Sequence, residues 1–383
     1  MLNLFQHLCN EIPKQVRNDV YGESMIINKD DIIWSGRYLD HEGIRYFDYS
    51  ASGFCFVMKG KRAEAVILSD PDSWDQANKG VLGIFVTDGS DTSIGAIPEE
   101  PTQRITLSHC ENHIVLFDSP EEKTVTVRVM KFSECAFGYA GLKRLEIDGT
   151  LLDVPSTPLR DQLKLEFIGD SITCGYGIEG VWEKDTFTTA QERPDKAYAF
   201  LTAKALGADI QLCSWSGIGL ISNYVDPETV NLPDTHWLMQ ANWPYTDKSL
   251  SLRLGLEPEV WDGSKYQPDI VVIHLGTNDI SWVRGMEERR LEYTAQLRHL
   301  IEAVHRRSPK AKICCCLGIM GEALNDSVKE AVELFKKDFP TVTAKAVLFT
   351  QQLESDGIGA DWHPSALTHK KAAALLAAAL RSL

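Results

Sequence analysis

Leu163-Lys164-Leu165-Glu166-Phe167-Ile168-Gly169-Asp170-Ser171-Ile172-Thr173 decides how the rest of the chain is read. It opens as an alternating apolar run ending in Phe167 and Ile168, the pattern of a buried strand. At Gly169-Asp170 the run breaks, and a serine enters what should be the first turn of a helix. Open α/β sheets gather their chemistry at the carboxyl ends of strands. Free backbone N–H groups at a helix start can also stabilise a developing negative charge there. Ser171 has a plain reading too, as an N-cap, a position serine often fills.

Downstream, strand-like runs alternate with helical ones, which predicts a parallel sheet flanked by helices. The strands are Leu163–Ile168, Ile210–Ser214, Ile270–Leu275, Lys312–Leu317 and Val342–Leu348. Lys196 to Leu206, Met286 to Arg307 and Ser327 to Asp338 have helical periodicity. An alanine-rich helix runs from Ala366 to Leu380, capped by Ser365 after Pro364. Gly219 to Tyr266 is a long, poorly periodic insertion carrying Trp237, Trp243, Tyr245 and Trp261; loops this long are usually functional. Its aromatics suit local packing and a wall for a sugar ring equally well.

Upstream the pattern differs. From Ile32 to about Asp153 short β-type segments follow one another: Ile44–Tyr49, Gly53–Met58, Ala63–Leu68, Val81–Thr87, Gln103–Ser108, His113–Phe117, Thr124–Met130 and Arg144–Ile147. Turn signals such as Lys59-Gly60 and Asp88-Gly89-Ser90-Asp91 separate them. This predicts an all-β sandwich, specifically an antiparallel jelly roll of about eight strands. The expected organisation is therefore an N-terminal extension over 1–24, a candidate for disorder or for a start codon assigned upstream of Met25. A jelly-roll sandwich over 25–158 and an α/β/α domain with a parallel sheet over 159–383 follow it.

The 383 residues are 44% hydrophobic and carry a formal net charge of −15, which argues against nucleic acid or an anionic membrane as partner. Nothing in the sequence specifies an oligomeric state. The nine cysteines include no Cys-x-x-Cys pair, and Cys314-Cys315-Cys316 lies in an apolar run as small buried hydrophobes would. That usage, with no apolar stretch of signal-peptide or membrane-spanning length, leads us to expect a cytoplasmic protein.

Three further pieces end strands of the same sheet edge. Ser214-Trp215-Ser216-Gly217 closes the second strand, His274-Leu275-Gly276-Thr277-Asn278-Asp279 the third, and Asp361-Trp362-His363-Pro364 precedes the last helix. A serine hydroxyl needs a base, and His363 is the candidate; Asp361 is the candidate carboxylate to orient it. The Ser171 and Gly217 N–H groups and the Asn278 amide suit an oxyanion. Each residue alone reads as a turn former or cap; together, in this order, they read as catalytic.

Gly169-Asp170-Ser171, Gly217, Gly276-Thr277-Asn278-Asp279 and His363 resemble the four blocks of the SGNH (GDSL) hydrolase superfamily. The resemblance extends to the carbohydrate esterase family 2 acetylxylan esterases, which join a jelly roll to an SGNH domain. Trp34-Ser35-Gly36-Arg37, the stretch Phe167 to Gly177 and Ser216-Gly217-Ile218-Gly219 carry it. It implies Ser171 as nucleophile, His363 as base, and Ser171, Gly217 and Asn278 as oxyanion donors, with no metal or cofactor. The substrate it implies is an acetylated xylan- or mannan-derived oligosaccharide, met by Trp362, Trp282, Trp243 and Trp237. One position departs from the superfamily: Ala360 stands three residues before the histidine, where many members have Asp. In the resembling esterases the acidic partner varies, and a backbone carbonyl can orient the histidine instead of Asp361. Rival readings are another SGNH esterase, lipase or thioesterase, a metal-dependent phosphoesterase using Asp170, Asp279 and His363, and a non-catalytic sugar-binding protein.

Overall fold

The computed structural model describes residues 24–70, 78–153 and 162–383. The N-terminal extension, to residue 23, and the proline-bearing junction 154–161 lie outside the described residues.

Among the described residues, the N-terminal half is a nine-stranded antiparallel sheet. Its strands are β1 (Ser24–Ile27), β2 (Ile33–Ser35), β3 (Tyr38–His41), β4 (Ile44–Phe47), β5 (Gly53–Leu68), β6 (Val81–Asp88), β7 (Gln103–Thr106), β8 (Glu111–Lys131) and β9 (Ala140–Leu152). The order is β3-β4-β9-β5-β8-β6-β7, with β1 added on β9 and β2 on β5. The sheet curls around one apolar core built from alternate residues such as Phe54, Phe56, Ile84, Val127 and Ile147. Two strands each join segments that the sequence reading expected to be separate. The two segments split at Lys59-Gly60 are one 16-residue strand, and those on either side of Ser119-Pro120 are one 21-residue strand. The register shifts between Gly60 and Arg62. A Cβ at Gly60 would lie 1.9 Å from the Asp148 carbonyl oxygen, so this glycine marks a bulge under a close strand, not a turn.

The C-terminal half is a five-stranded parallel sheet of order β11-β10-β12-β13-β14. These are β10 (Lys164–Gly169), β11 (Asp209–Ser214), β12 (Ile270–His274), β13 (Lys312–Leu317) and β14 (Ala344–Leu348). The described helices are α1 (Ser171–Cys174), α2 (Tyr198–Leu206), α3 (Met239–Asn242), α4 (Lys248–Arg253), α5 (Thr277–Val283), α6 (Glu287–Arg307), α7 (Asn325–Asp338) and α8 (Ala366–Arg381). Both faces of the sheet are covered, which is why its strands carry apolar residues on both faces. Phe167, Leu212, Val272, Cys314 and Cys316 pack with α2 and α8, while Ile168, Cys213, Ile273, Cys315 and Leu317 pack with α6 and α7. No described helix is long and apolar enough to cross a membrane. The chain order reverses between β11 and β12 around β10, which opens a crevice at the carboxyl ends of these three strands.

The two halves share their interior. Phe85, Met130 and Phe132 from the antiparallel sheet join the α2–α8 core, and Tyr49 and Cys135 join the other. Buried Arg37 pairs with Glu166 of β10 at 2.9 Å and donates to the carbonyls of Trp243 at 2.7 Å and Tyr245 at 2.5 Å. Trp243, expected near sugar, is therefore a buried structural residue, with its indole N–H on Glu166 at 3.3 Å. Trp282 is likewise buried, its ring covered by the Arg289 guanidinium at 3.4 Å.

Candidate active site

Ser171 opens α1 directly after β10, but the N-cap is Asp170, whose side chain accepts from the Ile172 N–H at 3.0 Å. The capping work being done by its neighbour, the Ser171 hydroxyl is left to His363, whose Nε2 lies 2.8 Å from its Oγ. Strand β10 and the loop before α8 are thus joined across 192 residues of sequence.

The other imidazole nitrogen, Nδ1, lies 3.1 Å from the backbone carbonyl oxygen of Asp361, not from its carboxylate. The carboxylate accepts instead from the Tyr176 hydroxyl at 2.8 Å. Of the two groups the sequence left open for this part, carboxylate or backbone carbonyl, the carbonyl lies against the ring. Asp361 and Trp362 both have left-handed backbone, with φ of 50° and 65°. That sharp turn aims the Asp361 carbonyl back at the ring two residues on. Ala360, three residues before the histidine, is fully buried, and Gly177 and Gly180 pack closely on it: ideal Cβ atoms on them would lie 3.2 Å and 2.6 Å from its own. Tyr176 also lies against the imidazole (centroids 4.3 Å apart) and stacks on Phe187 at 3.6 Å.

Burial lowers the His363 pKa from its ordinary value, outweighing the nearby Asp170 charge, which acts the other way. At neutral pH the ring is therefore an unprotonated base, and Nδ1–H donating to the Asp361 carbonyl leaves Nε2 to accept from the serine.

The three proposed oxyanion donors lie at neighbouring strand ends. The Ser171 and Gly217 N–H groups have no acceptor among the described residues. Gly217 has φ of 77°, a region that favours glycine. Asn278, in the first turn of α5, gives one amide hydrogen to the Ile218 carbonyl at 2.9 Å, which ties it to the Gly217 loop and leaves the second free. Asp279, its neighbour, accepts from the N–H groups of Leu220, Ile221 and Ser222 at 2.7–3.2 Å. Burial pushes this carboxyl up to about 6 against the pull of those donors. It anchors the loop and is not positioned as a metal ligand; no group of His, Cys, Asp and Glu among the described residues is arranged to hold a metal.

Beside Gly217 a cleft of about 340 Å³ is lined by Trp215, Ile218, Asn223, Tyr224, Asp234, His236 and Trp237. Trp237, singled out from the sequence, stacks on Trp215 at 6.0 Å. Trp362 meets Trp182 edge-to-face at 5.4 Å beside His363. Tyr176, Trp182 and Trp215 had no assigned role in the sequence reading. For Trp215 the signal was present, since it sits between the strand end and Gly217 within one block.

A model of the GDSL-like lipase/acylhydrolase family matches residues 167–371, and the chain belongs to that family. The solved structures it resembles include family two carbohydrate esterases. It is 32% identical over 360 residues to the cellulase/esterase CelE of Acetivibrio thermocellus, covering 92% of this chain but only 39% of CelE. With an acetylxylan esterase/glucomannan deacetylase of Cellvibrio japonicus it shares 30% identity over 293 residues, 75% of each chain. The structure of a family two carbohydrate esterase from Clostridium thermocellum, in complex with cellohexaose, superposes with a TM-score of 0.76 at 30% identity. That match covers 92% of this chain and 98% of that one.

Proposed function

We infer that the chain removes O-acetyl groups from acetylated xylan- or mannan-derived oligosaccharides through an acetyl-enzyme on Ser171. The observation that carries this is the 2.8 Å contact between Ser171 Oγ and His363 Nε2. The Ser171 hydroxyl attacks the acetyl carbonyl as His363 takes its proton, and the resulting oxyanion faces the Ser171 and Gly217 N–H groups and the Asn278 amide. Collapse expels the sugar oxygen, which takes the proton from His363. Water, activated by the same ring, then releases acetate and restores the serine. The substrate class rests on the Cellvibrio relative's named activities and on the Trp215–Trp237 pair, a flat apolar face beside Gly217. The unbridged, buried thiols of Cys174, Cys213 and Cys314–Cys316 suit a reducing compartment, so we place the activity in the cytoplasm, on imported oligosaccharides.

The test is acetate release from p-nitrophenyl acetate and from acetylated xylo- and manno-oligosaccharides, with Ser171→Ala beside wild type. Release from the sugars that vanishes in the variant supports nucleophile and substrate together. Serine-dependent cleavage of the phenyl ester alone keeps the hydrolase and rejects the substrate. Oligosaccharide binding without serine-dependent hydrolysis would support a binding function instead.

A further inference from the structure

Glu134 belongs to the antiparallel half yet reaches the reaction centre. The chain leaves β8 at Lys131 and turns through Ser133, Glu134 and Cys135 against the carboxyl ends of β10 and β11. The buried Lys131 ammonium folds back onto that turn and donates to the carbonyls of Ser133 at 2.8 Å and Glu134 at 2.9 Å. Glu134 is fully buried; its carboxylate accepts from the Ser216 N–H at 2.5 Å and from the Cys174 thiol at 3.7 Å. Ser216 immediately precedes Gly217, and Cys174 is the last residue of α1, the helix that Ser171 begins. The same thiol lies 3.2 Å from the Ser214 hydroxyl, and Cys135 donates to the Ser214 carbonyl at 3.6 Å. One side chain therefore ties the loop carrying one proposed oxyanion donor to the helix carrying the nucleophile and a second donor.

We propose that Glu134 is a positioning residue for the esterase reaction, setting the spacing between the Gly217 N–H and Ser171, and that the antiparallel domain is thereby part of the catalytic apparatus. The inference rests on the serine-esterase reading above. A buried carboxylate is costly, and a second one is set against it: Glu192 accepts from the Glu134 N–H at 3.1 Å. Burial pushes both carboxyls up. An apolar side chain would seal the domain contact at less cost, but it could not accept from Ser216. Small displacements matter here, since oxyanion donors act only within hydrogen-bond reach of the developing charge.

The test compares Glu134→Gln, Glu134→Asp and Glu134→Ala on p-nitrophenyl acetate. Gln keeps an acceptor at the same reach, and its kcat should stay within a few-fold of wild type. Asp withdraws the acceptor by one methylene, so kcat should fall about tenfold or more with KM unchanged, and Ala at least as far. Combining Glu134→Asp with Gly217→Ala should cost less than the product of the single losses, because both act on one donor. If Glu134→Ala does not fold, the Asp and Gln variants decide. Wild-type kcat in Glu134→Asp, or equal losses in kcat and in stability for Gln and Asp alike, would reduce Glu134 to a structural contact and overturn the proposal. Amide hydrogen exchange over 214–218 reads the clamp without any turnover: exchange should quicken in Glu134→Asp and Glu134→Ala, and unchanged exchange overturns the clamp. Absence of Ser171-dependent hydrolysis in wild type would sink the esterase reading separately, with the exchange result still deciding whether Glu134 holds this loop.

Discussion

Replacing Asp361 by asparagine separates two ways of holding a catalytic histidine. In the structure the ring meets the Asp361 carbonyl at 3.1 Å, and the carboxylate is spent on Tyr176 at 2.8 Å. Asparagine keeps the carbonyl, tolerates the left-handed φ of 50°, and offers an amide oxygen to the Tyr176 hydroxyl. Asp361→Asn should therefore keep kcat/KM on p-nitrophenyl acetate within about threefold. Alanine keeps the backbone carbonyl but loses the tolerance of left-handed φ and the Tyr176 hydrogen bond. Holding it at positive φ costs about 1 kcal/mol, and losing the tyrosine hydrogen bond costs about 1 kcal/mol more. If all of that is expressed in the placement of the ring, about 2 kcal/mol corresponds to roughly a 30-fold loss. Tyr176→Phe, which removes only the hydrogen bond, should fall between the two. A carboxylate that itself orients the histidine behaves differently, because its conversion to the amide costs about 10⁴ in kcat. Ser171→Ala or His363→Ala should cost far more than any change at 361. A loss approaching 10⁴ in Asp361→Asn would refute the carbonyl-held arrangement.

The lowered His363 pKa has a sign that can be checked. The neutral ring is the active base, so activity falls as pH drops through the folded-state value, and the acidic limb of kcat/KM should lie below about 6.5, the ordinary histidine value. A limb at or above neutral pH contradicts it. Arg37→Met should destabilise the protein by about 3–5 kcal/mol in urea denaturation, because it leaves Glu166 buried without its cation; a change under about 1 kcal/mol would show that the pair does not tie the two halves together. Trp237→Ala should raise KM for acetylated oligosaccharides roughly tenfold while leaving p-nitrophenyl acetate kinetics unchanged. Equal effects on both substrates would place Trp237 outside the sugar site.

The sequence by itself determined the elements and the order of the chemistry. Apolar runs ending in Gly169-Asp170-Ser171, Ser216-Gly217 and Gly276-Thr277-Asn278-Asp279 could only be strands opening at one sheet edge, because period, turn residues and chain order are local properties. The C-terminal helix and its Ser365 cap were legible for the same reason; the Ser365 hydroxyl accepts from the Thr368 N–H. What sequence could not supply was distance between residues far apart in the chain. Lys59-Gly60 reads as a turn until Asp148 is seen crossing over it. Trp243 and Trp237 look alike in sequence, and only packing buries one beneath Arg307 and leaves the other lining a cleft. Asp361 carries one carboxylate and one carbonyl, and only the left-handed turn decides which faces His363. Glu134 bears no motif at all. Its part depends on a strand of one half ending against the loop of the other, and a hydrogen bond across 82 residues leaves no trace in composition or period.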